Sequence, residues 1–334
     1  MKVAIVGCGG LGNVHASCYA QIPGVTVVGV CDTDRELVQQ MAERTGATAY
    51  ESFDDMLEQS GCEVVSVTLP SFLHKPFSIK AAQAGKHVIC EKPIALNLED
   101  AADMIRVCEE NNVRLFVGHV VRFFPEYAQM HDKIKQGALG RVGVAHAKRI
   151  GSHPGERRHW FKEDDKSGGV VIDLMIHDID FLRWSIGEVK SVFGFRKVEG
   201  FVDYATATLV FENGAVANVE AHWGYPGPFT TAAEIAGSSG VIRSDSSKTI
   251  SLQVRKAASE SSSGPFVDIP QSPGYRSPFQ LEISHFIECI RDSKESLVTA
   301  RDAYKALEIG LAIEESARSG QAVLLNHSAQ EGSR

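Results

Sequence analysis

Three groups of residues in this chain have types and spacings that could do chemistry. The first lies near the N-terminus, where Val3-Ala4-Ile5-Val6 runs directly into Gly7-Cys8-Gly9-Gly10-Leu11-Gly12. A strand that ends in G-x-G-x-x-G and opens a helix is suited to a phosphate. Gly7 permits the tight turn, Gly9 lets the backbone approach a pyrophosphate, and Gly12 lets the helix pack closely on the strand. Gly10 and Leu11 begin that helix, whose N-terminus faces the negative charge. Asp32 follows about 20 residues later at the end of a second strand, the spacing for a carboxylate that bonds the adenosine ribose hydroxyls of a dinucleotide. A carboxylate there favours the free 2′-OH of NAD over the 2′-phosphate of NADP. Arg35, close in sequence, softens that repulsion, so NAD is preferred and NADP stays open.

The second group is Glu91-Lys92-Pro93, at the end of the run His87-Val88-Ile89-Cys90. Ligands of open α/β sheets gather outside the carboxyl ends of strands, which would aim Lys92 into a cleft. Taken alone, a lysine at a strand end is more often a solvated surface charge.

The third group lies on a very apolar helix expected over about 170–186. At roughly 100° per residue, Asp173, His177, Asp180 and Trp184 form one narrow stripe. It lacks Lys and Glu, so it reads as buried or cleft-lining rather than solvated. A self-satisfied Asp173–His177 pair would serve only the fold; with Lys92 approaching from the other domain, an acid–base constellation is the better reading. Metal binding is the lesser option, because catalytic zinc usually takes more His or Cys.

These groups need elements to position them. Residues 2–118 alternate continuous apolar runs (Lys2–Val6, Val25–Cys31, Glu63–Leu69, His87–Cys90, Arg114–Val117) with helical segments near 12–21, 34–45, 74–84 and 97–111. That alternation implies a parallel sheet covered on both faces. Gly85 suits a helix C-terminus, and Asn97 suits an N-cap. After about residue 120 a helix near 125–136 precedes a strand, Val142–Arg149, and an irregular segment at 152–169. Beyond the apolar helix come strands Ser191–Val198, Tyr204–Phe211 and Ala215–His222, with Asn213-Gly214 as a hairpin turn. Thr231–Ala236 and Thr249–Val254 complete a predominantly antiparallel sheet, and 256–278 reads as a surface loop. Helices near 279–292 and 300–318 follow, the second with Thr299 and Asp302 as a capping box. The fold expected is therefore α/β, a doubly wound parallel sheet followed by an α+β domain with an open, predominantly antiparallel sheet. The boundaries expected are 1–120 for dinucleotide binding and 121–334 for substrate binding and oligomerisation.

The chain has 334 residues, more than one core usually organises. Its net charge is −8 and no run of Lys or Arg occurs, which argues against nucleic acid or an anionic membrane as partners. The N-terminal apolar run is too short for a signal peptide, and no stretch approaches a membrane span. The seven cysteines form no Cys-x-x-Cys pair and read as reduced thiols of a cytoplasmic protein.

Together these residues closely resemble the Gfo/Idh/MocA family of oxidoreductases, over nearly the whole chain to about residue 325. The resemblance rests on the glycine loop, Thr68-Leu69-Pro70 with His74, Glu91-Lys92-Pro93, and Gly118-His119 through Arg122-Phe123. It continues through Ser167-Gly168-Gly169, Asp173, His177 and Asp180 into the Phe279–Leu325 tail. It implies a soluble NAD(P)-dependent dehydrogenase acting on a secondary alcohol of a cyclitol or sugar, with Lys92, Asp173 and His177 as catalytic residues. Thr68, Pro70, His74, Glu91 and Lys92 would join Gly7, Gly9, Gly10, Leu11, Gly12 and Asp32 around the cofactor. His119, Arg122 and Trp160 would border the substrate with Lys92, Asp173 and His177; Arg157, Arg158 and His159 lie in the same irregular segment as Trp160. Ser71 stands where many members have Asn, and Met175 where Gly is common, departures that bear on substrate identity. A nucleotide-sugar oxidoreductase is the alternative within enzymology, and a non-catalytic dinucleotide-binding regulator the alternative outside it. No bound metal is expected. Apolar residues on both faces of the second-domain strands, such as Val192, Phe193 and Phe195 or Ala215 and Val216, point to a homodimer or homotetramer.

Overall fold

The computed structural model describes residues 1–156, 158–248, 252–256, 267–268 and 276–325. Two units emerge from the packing. One takes Met1–Phe123 with Asp165–Ser167 and residues 276–307; the other takes Phe124–Asp164, the chain beyond Gly168, and the chain from Glu308.

In the first unit β1 (Lys2–Val6), α1 (Gly10–Tyr19), β2 (Thr26–Cys31), α2 (Arg35–Thr45), β3 (Thr48–Tyr50), α3 (Phe53–Gln59), β4 (Val64–Val67), α4 (His74–Gln83), β5 (His87–Glu91), α5 (Leu98–Glu110) and β6 (Leu115–Gly118) alternate along the chain. The strands run parallel in the order β3-β2-β1-β4-β5-β6. Order reverses between β1 and β4, the switch point at which such sheets bind ligands. Strands β1, β4 and β5 are almost wholly buried, as helices on both faces require. Local signals set the helix ends. Asp34 accepts the N–H groups of Glu36 and Leu37, Asn97 accepts that of Asp100, and Gly46 closes α2 at φ +73°. Helix α9 (Pro278–Asp292) completes this core: Ile283, Phe286 and Ile287 cluster with Val3, Ile5, Ile89 and Phe116. Phe116 and Phe286 lie 5.0 Å apart between ring centres.

The second unit contains α6 (Pro125–Lys135), β7 (Val142–Gly151) and α8 (Ile176–Ile186). The one-turn α7 (Asp164–Ser167) starts at its edge. Its sheet continues with β8 (Val189–Glu199), β9 (Val202–Phe211), β10 (Val216–Trp223), β11 (Thr230–Gly237), β12 (Gly240–Asp245), β13 (Leu252–Lys256), β14 (Val267–Asp268) and β15 (Val323–Leu324). Helix α10 (Ala300–Ser319) precedes β15. The order is β14-β13-β12-β11-β7-β10-β9-β8-β15, antiparallel except where β7 and β10 pair in parallel. Ala205, Ala207 and Leu209 on β9 and Ala217, Val219 and Ala221 on β10 are buried, while Phe193 and Phe195 on β8 are 51% and 55% exposed. Among the described residues no helix is long and apolar enough to cross a membrane.

Several expectations need correction. The segment expected as a single helix from 170 begins as a π-helical turn, Val171–Met175, in which the Ile176 N–H reaches back five residues to the Val171 carbonyl. Strands β3, β12 and β15 and helix α3 were not anticipated. Val267–Asp268, expected in a loop, pairs with β13. Arg157 and residues 249–251, 257–266, 269–275 and 326–334 lie outside the described residues, so the start of the expected strand Thr249–Val254 and most of the loop at 256–278 fall there.

Candidate active site

Strand register aligns the candidate residues of the first unit. Val6 stands beside Cys31 and Val67, and Val67 beside Cys90. Gly7, Asp32, Thr68 and Glu91 therefore leave the sheet along one edge. Gly7 has φ +97°, and a Cβ there would lie 2.5 Å from the Thr68 carbonyl oxygen. A Cβ on Gly12 would meet the Gly7 carbonyl oxygen at 1.9 Å, so helix and turn touch as closely as backbone allows. Thr68 ties the turn down: its hydroxyl donates to the carbonyls of Val6 (3.1 Å) and Gly7 (2.7 Å). Asp32 is held over the loop, its Oδ2 accepting the Cys8 N–H at 2.6 Å and its Oδ1 the Asp34 N–H at 3.0 Å.

Lys92 follows β5 and is partly exposed, and the Lys92-Pro93 bond is cis. Both its neighbours are anchored by histidines. The Glu91 carboxylate, 3% exposed, meets His15 Nε2 at 3.0 Å. The Pro93 carbonyl lies 2.7 Å from His74 Nδ1, whose Nε2 faces the Leu69 carbonyl at 2.9 Å. Burial lowers the His74 pKa below its ordinary value, against the pull of these two carbonyls. Thr68, His74 and Glu91, expected around the cofactor, thus direct these polar groups into the protein and shape the cradle from beneath. Arg122 also departs from expectation. It is 2% exposed, and its Nη1 donates to the Leu297 carbonyl (2.8 Å) and faces Asp302 (3.4 Å), which caps α10 with Thr299. His119 is buried at the end of β6.

The remaining candidates, Asp173, His177, Asp180, Trp184 and Trp160, lie in the second unit. Gly169 at φ +64° leads into the π-helical turn, and a Cβ on it would strike the Arg196 guanidinium. Arg196 pairs with Asp164, Asp203 and Glu314, and Asp203 accepts the Val170 N–H at 3.0 Å. Asp173 lies within the turn and His177 near the start of α8, both partly exposed; π-helical turns inside helices often mark functional sites. The expected stripe is not uniform, because Asp180 is fully buried. Trp184 stacks on His131 at 3.5 Å and Trp160 on Phe161 at 3.7 Å. Arg158 and His159 are exposed.

Residues 1–119 match a family described as oxidoreductases with an NAD-binding Rossmann fold, and residues 131–325 match its C-terminal alpha/beta domain. The chain belongs to the Gfo/Idh/MocA family. It is 32% identical over 340 residues to scyllo-inositol 2-dehydrogenase (NAD(+)) of Bacillus subtilis, spanning 98% of this chain and 96% of that one. It is 27% identical over 339 residues to myo-inositol 2-dehydrogenase of Thermotoga maritima, spanning 97% and 98%. Among solved structures, the WlbA dehydrogenase of Bordetella pertussis in complex with NADH and UDP-GlcNAcA superposes with a TM-score of 0.85 at 26% identity, covering 98% of both chains. The protein is thus an NAD-dependent oxidoreductase of the Gfo/Idh/MocA family.

Its residues fit that cofactor. A Cβ on Gly9 would meet nothing within 4 Å, so the backbone face between Gly7 and Gly12 is open where a pyrophosphate must approach. Asp32 would offer an acceptor to ribose hydroxyls, and the first turn of α1 contains no acidic side chain to oppose phosphate. Sequence reasoning missed His15, Tyr19 and Ser66 under the loop, and Arg149 and Asp178 behind His177. The signal for the first set was present: Gly12, His15, Ala16 and Tyr19 follow the i, i+3, i+4, i+7 spacing of a buried face, and a histidine in such a face must find partners.

Proposed function

We propose that this Gfo/Idh/MocA oxidoreductase oxidises a secondary hydroxyl of a neutral polyhydroxylated ring, a cyclitol first and a free sugar second. Lys92 carries the reading: it follows β5 at the carboxyl edge where the glycine loop also begins, between two anchored neighbours. Full-length likeness to two inositol dehydrogenases supports the substrate class.

Gly7, Gly9, Gly10, Leu11, Gly12 and Asp32 would hold the dinucleotide, with Thr68, Pro70, His74 and Glu91 supporting its floor. When bound, NAD supplies the acceptor for the hydrogen and electron pair that leave the carbinol carbon. Lys92 hydrogen-bonds the reacting oxygen through Nζ, and its charge favours loss of that hydroxyl's proton. His177 takes the proton on its imidazole, and Asp173 orients the imidazole or an adjacent hydroxyl. His119 and Trp160 border the ring, while Arg122 acts by fixing the start of α10. The first unit serves the dinucleotide; the second serves the substrate and a further copy of the chain in a homo-oligomer. Seven buried free thiols suit a reducing, cytoplasmic compartment.

Lys92→Ala tests the assignment. Turnover should disappear while circular dichroism and NADH binding stay near wild type, and substantial turnover in the folded variant would refute it. A substrate panel of inositols, aldoses, 2-hydroxy acids and nucleotide sugars, followed by NADH absorbance, tests the class. Higher kcat/KM for 2-hydroxy acids than for every cyclitol and sugar would contradict it. A nucleotide-sugar substrate is the second reading, favoured by the exposed Arg158 and His159 and by the ligand of the WlbA structure. Its mark would be kcat/KM highest for the UDP-sugar.

A further inference from the structure

A chain of buried polar groups runs beneath the glycine loop to the residue before Lys92. Tyr19 Oη lies 2.6 Å from Ser66 Oγ, and Ser66 Oγ lies 3.0 Å from His15 Nδ1. His15 Nε2 then lies 3.0 Å from Glu91 Oε1. Tyr19 and Ser66 are fully buried and His15 is 1% exposed, so the network is shut off from solvent. Facing a carboxylate, Nε2 must carry a proton in either charge state of the ring. A single direction then satisfies every group: Tyr19 donates to Ser66, Ser66 to Nδ1, and Nε2–H to Glu91.

Glu91 is the unusual member, because an ionised carboxylate costs free energy to bury and needs compensation. Desolvation pushes its pKa up, yet the His15 hydrogen bond, with the nearby Lys92 and His74, leaves it below the ordinary value. The site also makes room for it. Gly118 stands opposite Glu91 on β6, and a Cβ there would lie 3.3 Å from Glu91 Oε2. A side chain at 118 would press on the carboxylate, which would have to give by a few tenths of an ångström.

We propose that His15 is a positioning residue for the reaction: through Glu91 it fixes where the Lys92 ammonium stands. The inference rests on the assignment of Lys92 as the reacting cation. Glu91 and Lys92 are adjacent in the chain and interact electrostatically, and His74 holds the following carbonyl, so the lysine backbone is pinned on both sides. His15 is shut off from solvent, and its action on Lys92 would pass through Glu91. Misplacing a reacting group by about 1 Å costs on the order of a hundredfold in rate.

The test compares His15→Leu, His15→Gln, Glu91→Gln and the double variant His15→Leu/Glu91→Gln with Lys92→Ala, using scyllo-inositol and NAD. His15→Leu should lower kcat by roughly ten- to a hundredfold, with the NADH dissociation constant from fluorescence within about twofold of wild type. His15→Gln, which retains a donor, should recover most of the loss. The double variant should be no slower than Glu91→Gln, because the two residues act as one unit. Ser66→Ala, a smaller change, should lower kcat in the same sense if His15→Leu fails to fold. Independently of turnover, ¹⁵N NMR of the cofactor-free protein should place a proton on His15 Nε2. Unchanged kcat in folded His15→Leu and Ser66→Ala, losses that multiply in the double variant, or a bare Nε2 would each overturn the proposal. If Lys92→Ala is inactive while His15→Leu is not, only this inference fails. If Lys92→Ala turns over, or wild type leaves scyllo-inositol untouched, the site or substrate reading fails instead, and the NMR result still decides the state of His15.

Discussion

Gly9 and Gly12 are three residues apart, yet they do opposite work. The space above Gly9 is empty, and that above Gly12 is filled by the Gly7 carbonyl. Gly9→Ala should therefore leave the melting temperature close to wild type while weakening NADH binding by about tenfold or more, a loss of roughly 1.4 kcal/mol. Gly12→Ala should destabilise the fold, since helix and strand must part before its Cβ fits. Differential scanning fluorimetry with and without NADH separates the two, and equal loss of stability in both would contradict the division of roles. Both roles were legible in G-x-G-x-x-G, because the motif encodes backbone proximity, which side-chain chemistry does not disguise. Arg122 shows the converse: nothing in the sequence says that its guanidinium turns to a carbonyl and a carboxylate on the far-distant segment Leu297–Asp302.

Elements were legible where they were long or apolar. The parallel strands were read from their apolar runs, and the caps at Asn97 and Thr299–Asp302 from residue type. Short β3 and α3 escaped, although Ser52 and Asp55 form the S-x-x-D start signal that the structure uses. The π-helical turn before α8 has no comparable signature, because a single widened turn changes no residue type. What holds α8 was equally hidden. Arg149 on β7 and Asp178 on α8 are buried together, with Nε and Nη2 each 3.0 Å from a carboxylate oxygen. Removing one member strands the other charge, so Arg149→Met should cost about 3–5 kcal/mol by urea denaturation. Replacing both, as Arg149→Met with Asp178→Leu, should recover much of that loss. A single variant as stable as wild type would show that the pair does not anchor the helix.

For the whole molecule, pH and association are the two levers. Burial lowers the pKa of His74, His87, His153 and His285 below the ordinary 6.5. Below pH 6.5 the unfolded chain therefore binds protons that the folded chain does not, so stability falls with pH and continues to fall until the folded pKa values are reached. The melting temperature at pH 5.5 should be lower than at pH 7.5, and a flat profile would mean that these rings ionise freely in the folded state. Association is argued from β8, where Phe193 and Phe195 face out on the same side of the strand. Such a patch on one chain calls for a cover, which a second copy would supply. Light scattering at micromolar concentration should give a dimer or tetramer for wild type and a smaller species for Phe195→Glu; a wild-type monomer would contradict the reading.

The core of the first unit also draws on two distant stretches of chain. Its sheet is finished at Gly118, but Ile283, Phe286 and Ile287 of α9 close the same core. At about 5–20 residues per second, a ribosome emits the sheet on the order of ten to thirty seconds before that helix. Throughout that interval Val3, Ile5, Ile89 and Phe116 await part of their packing, and the growing chain must survive with one side of its first core unroofed. Translation speed through the second unit thus sets how long the nascent protein stays adhesive.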